Sequence, residues 1–163
     1  MADEITLEQV IDFAIETENL GHHMYTRMAK HFRDDPELGS LFAKLAEDEK
    51  HHAEHFAKLK EAAARKGKLS ADEQQYLRAV SISEIFSGPG APGKKVDEIK
   101  SREDALARAY NLEKTSLLYY HGLREVLQDD LLEEMIAEER NHITQVMKYM
   151  VTGAEFRGLG DKF

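Results

Sequence analysis

A chain of 163 residues is long enough to enclose a sizeable core in one domain of ordinary size. Its formal net charge of −9 argues against broad binding to nucleic acid or to an anionic membrane surface. It has no cysteine, which excludes disulfides, thiolate zinc sites, thiol catalysis and cysteine-ligated iron–sulfur clusters.

Abundant Ala, Leu, Glu, Lys and Met, with three prolines and no tryptophan, predict an all-α protein. No apolar run approaches the length of a membrane span. The start, "MADEITLEQV", has neither a basic nor an apolar signal segment, so a cytoplasmic protein without a secretory signal is expected.

The first helix is predicted from near Thr6, where "TLEQ" has capping-box form, to about Phe32. Its inward stripe reads Ile11, Ala14, Glu18, Gly21, Tyr25, Met28, Phe32. In "RDDPELG", Asp35 caps and Pro36 opens a second helix that runs to about Ala64, where "RKGK" ends it. Between its core residues Phe42 and Leu45 and its core residues Phe56 and Leu59, the inward slots fall on Glu49 and His52. Ser70 is placed to open a short helix in "SADEQQYL", and "FSGPGAPGKK" reads as a loop. Ser101 and Asp104 form the cap of a third long helix reaching about Leu127, with Glu113 on its core face beside Ala109 or Tyr110 and Leu117 or Tyr120. Asp129 or Asp130 caps the fourth, which ends near Thr152 and carries the seam Leu132, Met135, Glu139, His142, Val146, Tyr149. The tail "GAEFRGLGDKF" has no periodicity and reads as extended.

These elements form two helical hairpins joined by a crossover over about residues 65–101, long enough to let the second and third long helices run parallel. The expected architecture is a four-helix bundle over residues 1–153, with 154–163 as a C-terminal tail. Exchange of a hairpin between two chains would leave the same pattern.

The hairpins repeat one another. Glu18 is followed by Tyr25 and Glu113 by Tyr120 at equal spacing, while Glu49–His52 in "EKHH" matches Glu139–His142 in "ERNH". A Glu-x-x-His match arises roughly once by chance in such a chain, so position carries more weight than the match. Each long helix points a carboxylate into one interior, and two of them add an imidazole. Four buried carboxylates must be protonated, ion-paired or bound to metal. No Lys or Arg shares their stripes. Two divalent cations balance four carboxylates, and oxygen and imidazole donors suit iron or manganese, with zinc less selective. The alternative, a polar core of carboxylic acids and hydrogen-bonded histidines, needs the same coincidence at four positions.

On these six residues, over nearly the whole of residues 5–152, the sequence resembles the ferritin-like di-iron carboxylate superfamily, most closely its rubrerythrin branch. The resemblance implies a ferritin-like bundle binding two iron ions through Glu18, Glu49, His52, Glu113, Glu139 and His142. Glu49 and Glu139 would bridge, Glu18 and His52 would complete one metal's shell, and Glu113 and His142 the other's. It implies reaction with hydrogen peroxide or dioxygen in oxidative-stress defence, and a homodimer in which helices are exchanged or not. Rubrerythrins typically carry a further glutamate three residues after the first on the third long helix; here that position is Ser116, which weakens the peroxidase expectation. The cysteine-ligated rubredoxin module that many carry has no counterpart in this chain, so an external electron-donor protein is expected.

Among the neighbours, His22 lies one turn beyond Glu18. It is expected as a hydrogen-bonded interior histidine, with a supporting or extra ligand as the alternative. His51 and His55, with Glu47, Asp48 and Glu54, are assigned to a solvated face. Tyr25 and Tyr120 are expected as core aromatics whose hydroxyls find partners. Competing functions are ferrous-iron oxidation with handling or storage, manganese catalase-like disproportionation of peroxide, and a non-catalytic metal-binding bundle.

Overall fold

The computed structural model describes residues 6–64, 69–83, 99 and 101–151. Among these are five helices and no strand: α1 (Leu7–His31), α2 (Pro36–Ala63), α3 (Ala71–Ser83), α4 (Arg102–Val126) and α5 (Asp130–Met150). The segment "RKGK", the loop "FSGPGAPGKK", Thr152 and the tail after it lie outside the described residues.

Local chemistry explains the helix starts. Thr6 and Gln9 form the reciprocal capping box that opens α1. Asp35 accepts from the Leu38 amide at the start of α2, and Asp129 from the Leu131 amide at the start of α5. Ser70 and Glu73 make a second reciprocal box before α3, so the short helix is a full three-turn element rather than a nucleus only. Between α1 and α2 the turn is tight: a Cβ on Gly39 would sit 3.1 Å from the Phe32 carbonyl oxygen.

Contacts between hairpins set the topology. Along α1, Glu18 and Tyr25 meet Tyr120 and Glu113, so the two helices run antiparallel. Asp48 and His52 of α2 meet His142 and Glu138 of α5, antiparallel again. With each hairpin antiparallel internally, α2 and α4 are parallel, as a single long crossover requires. The result is an all-α, ferritin-like helical bundle.

The core falls into two apolar blocks. One gathers Val10, Phe56, Leu59, Tyr119, Leu123, Met135 and Ile136, and α3 adds Leu69 and Leu77 beside it. The other gathers Met28, Phe42, Leu45, Leu106, Ala109 and Val146. Between them lies a layer of buried polar side chains, so the bundle spends its mid-section on chemistry and its two ends on hydrophobic stability. No helix among the described residues is long and apolar enough to cross a membrane.

Candidate metal centre

The polar layer consists of Glu18, Glu49, His52, Glu113, Glu139 and His142, each no more than 1% exposed. Helical spacing brings each Glu-x-x-His pair onto one face, and the apolar residues above and below commit that face to the interior. Ligand atoms converge in two quartets. Glu18, Glu49, His52 and Glu139 offer atoms within 4.8 Å of one another, as do Glu49, Glu113, Glu139 and His142. Glu49 and Glu139 belong to both.

Each imidazole has an inner and an outer nitrogen. Nδ1 of His52 lies 3.0 Å from Glu139 and 3.4 Å from Glu18. Nδ1 of His142 lies 3.1 Å from Glu113. The outer Nε2–H of His52 donates to Glu138 at 2.8 Å, and that of His142 to Asp48 at 3.0 Å. Both outer acceptors come from the opposite hairpin, and both immediately precede the shared glutamate. The two rings are 5.6 Å apart.

Tyrosines supply the remaining polar contacts. The Tyr25 hydroxyl donates to Glu113 and the Tyr120 hydroxyl to Glu18, each crossing between hairpins. On α1, Gly21 leaves room for Glu49: a Cβ there would lie 3.2 Å from the Glu49 carboxyl carbon.

Burial, together with the neighbouring charges of Glu18 and Glu113, pushes Glu49 well above the usual carboxylate range. Burial and the charge of Glu113 do the same to Glu139. Burial lifts Glu18 to about 7. Burial also acts to raise Glu113, but the hydrogen bond and charge of His142 outweigh it and hold this carboxyl below its ordinary value. Burial opposes charge on the histidines, yet the surrounding carboxylates raise His52 to about 9 and His142 to about 10. Asp48 is held down at about 2: burial works against this, and the His142 and Lys44 hydrogen bonds prevail. A cage without a cation is therefore a proton-sharing cluster, with imidazolium opposite carboxylate. Several of its atoms still find no hydrogen-bond partner among the described residues, including Glu18 Oε2, Glu49 Oε1, His52 Nδ1 and both Glu139 carboxylate oxygens. Orphaned oxygen and imidazole acceptors aimed at common points fit divalent cations, which would balance the carboxylates and displace the shared protons.

The structure brings together all six residues singled out in the sequence. His22 stands aside: its Nδ1–H donates to the Ala46 carbonyl at 2.7 Å, tying α1 to α2 rather than touching the cluster. Glu47, His51 and Glu54 are exposed as expected, and His51 pairs with Glu47 at 3.3 Å. Asp48 requires a correction. It is not on the solvated face, because its side chain is 24% exposed and bonds His142. Glu138 was missed for a related reason, since a periodicity argument stops at the inward slot and ignores its neighbour. The available signal was the acid directly before each shared glutamate, in Asp48–Glu49 and Glu138–Glu139.

Two hairpins that jointly enclose a buried glutamate–histidine cluster define a ferritin-like helical bundle with a candidate metal centre between them. Residues 9–86, which span nearly all of α1 and all of α2 and α3, match the family model described as Rubrerythrin. No curated protein and no solved structure matches it.

Proposed function

We propose that the cluster holds two iron ions and that the chain is a rubrerythrin-like oxidoreductase acting on hydrogen peroxide or dioxygen. The observation that carries this reading is the pair of quartets sharing Glu49 and Glu139. Glu18 and His52 would complete one metal's ligands, and Glu113 and His142 the other's. When bound, a ferrous pair supplies two electrons, which with two protons take hydrogen peroxide to two waters.

The protein's own part is positional. Tyr25 and Tyr120 hold the terminal carboxylates, Asp48 and Glu138 orient the imidazoles, and the apolar blocks keep bulk water out. Ser116, one turn after Glu113, leaves α4 with a single carboxylate for the pair. No cysteine lies in the chain, so electrons reach the pair from outside these 163 residues.

Anaerobic iron loading followed by metal analysis is the first test, with about two irons per chain expected and fewer than about one overturning the reading. Rapid mixing of the ferrous protein with peroxide and with dioxygen then distinguishes the chemistries. Faster oxidation by peroxide supports the peroxidase. Faster dioxygen consumption with repeated iron uptake would assign the chain to iron handling instead. Peroxide disproportionation by the manganese-loaded protein alone would assign it to catalase-like chemistry.

A further inference from the structure

The two hairpins repeat one motif but do not hold their histidines alike. His142 donates to Asp48, whose short side chain is 24% exposed and whose same oxygen, Oδ2, also accepts from the Lys44 ammonium one turn earlier. His52 donates to Glu138, whose longer side chain is 54% exposed. No lysine or arginine pairs with Glu138 among the described residues. At the position matching Lys44, four residues before Glu138, stands Glu134, an exposed like charge that repels it.

The inner side differs in which glutamate each ring meets. Glu113 meets Nδ1 of His142 at 3.1 Å in a hydrogen bond. Glu18 stands 3.4 Å from Nδ1 of His52, whose nearer carboxylate is the shared Glu139 at 3.0 Å, so this ring is not seated on its own terminal glutamate. The outer contact of His52 is the shorter one, 2.8 Å against 3.0 Å, so length does not rank the pair. What ranks them is how many other orientations the acceptor can adopt. A half-exposed glutamate has one more rotatable bond than an aspartate, water competes for it, and each alternative lets the imidazole turn away from its metal.

The geometry points to an unequal pair of metal positions: the one completed by Glu113 and His142 fills first and tightly, and the one completed by Glu18 and His52 fills second and exchanges. Asp48 and Lys44 are positioning residues that act through His142. This inference rests on the di-metal reading above. It deepens that reading by naming which ion stays and which is replaceable.

Shared bridging carboxylates make any second ion bind more weakly than the first, so two binding steps alone do not decide the matter. The test is a calorimetric titration of the full metal-free chain with Co2+, followed in parallel by the paramagnetically shifted, exchangeable imidazole N–H signals. A His52→Gln variant identifies which signal belongs to His142. At one equivalent of Co2+ only the His142 signal is expected, with the His52 signal appearing during the second step. Asp48→Asn should weaken the first step by about 10–100-fold, the usual range for loss of such a partner, and leave the second nearly unchanged. Lys44→Met should weaken the first step a few-fold. Asp48→Glu, which makes one acceptor resemble the other, should bring the steps together. Glu138→Gln should shift only the second step, and by less. Two signals of equal intensity at one equivalent, or equal losses from Asp48→Asn and Glu138→Gln, would overturn the ranking and leave the di-metal centre standing. Failure of the parent chain to bind Co2+ at all would overturn the di-metal reading itself.

Discussion

The α1–α2 and α4–α5 hairpins each give the cage two glutamates, a histidine and a tyrosine, yet they are not interchangeable. Three residues after the first glutamate, the N-terminal hairpin has Gly21 and the C-terminal hairpin has Ser116. A Cβ at Gly21 would press on the Glu49 carboxyl carbon at 3.2 Å and on Leu112 at 3.3 Å. The shared carboxylate Glu49 thus rests directly on α1 backbone, while α4 accommodates a buried side chain at the matching place. A repeated motif sets which residues face inward; how near the backbones come is decided separately for each helix.

The bluntest way to probe this comparison is to remove what both hairpins share. Glu49→Ala and Glu139→Ala are each expected to abolish stable binding of the metal pair, read as metal per chain after desalting, whereas His52→Ala and His142→Ala each lose one ion preferentially. Two tightly held ions in both glutamate variants would show that neither residue bridges.

Next in size are the terminal carboxylates. In metal-free protein near pH 6, Glu113→Gln leaves protonated His142 without its buried partner and should cost about 3 kcal/mol in urea unfolding. Glu18→Gln should change stability by about 1 kcal/mol or less, since Glu18 titrates only near 7 and already holds its proton there. Equal losses would erase this difference between hairpins. The pH dependence follows from the same groups. The contribution of Glu18 is complete below its unfolded value of 4.5 and is lost as pH rises through about 7. Those of His52 and His142 are complete below 6.5 and are lost through about 9 and 10. Metal-free protein should therefore melt several degrees lower at pH 9 than at pH 6, and bound metal should reverse the trend by displacing the protons.

Tyrosine substitutions compare the two sides more finely. Tyr25→Phe and Tyr120→Phe each delete one buried hydroxyl donor to a carboxylate, worth about 1.5–3 kcal/mol in chemical denaturation. The two values should agree within about 0.5 kcal/mol if the hairpins are equivalent in this respect. The smallest effect is at the position that breaks the repeat. Gly21→Ala should weaken metal binding by about 1 kcal/mol through displacement of Glu49, while Ser116→Ala changes it less.

Much of this was legible in the sequence because the relevant signals are periodic and local. Alternating steps of three and four picked out Glu49–His52 and Glu139–His142 as inward pairs, and side-chain caps at Thr6, Ser101 and Asp129 marked three helix starts. Asp48 escaped because it lies beside the stripe, where a helix by itself would present it to water; its burial is created by α5. Tyr25 and Tyr120 were expected in the core, but their partners could not be assigned, because each glutamate belongs to the other hairpin and the choice depends on how the hairpins dock. His22 likewise could be placed only once the α1–α2 spacing set the Ala46 carbonyl in its reach.

The crossing pattern of these contacts has a kinetic consequence. The tyrosine–glutamate bonds and the outer histidine–carboxylate bonds join residues 86 to 102 apart in sequence, whereas each hairpin closes on nearer neighbours. Hairpins should therefore collapse early, and the cage should form only in the late docking step, when buried charge must shed its water. Until then the first hairpin to leave the ribosome offers a cation three ligands, Glu18, Glu49 and His52, and no more. A cation taken up at that stage replaces the protons that otherwise fill the cage, so refolding rate should depend on the concentration of divalent cation.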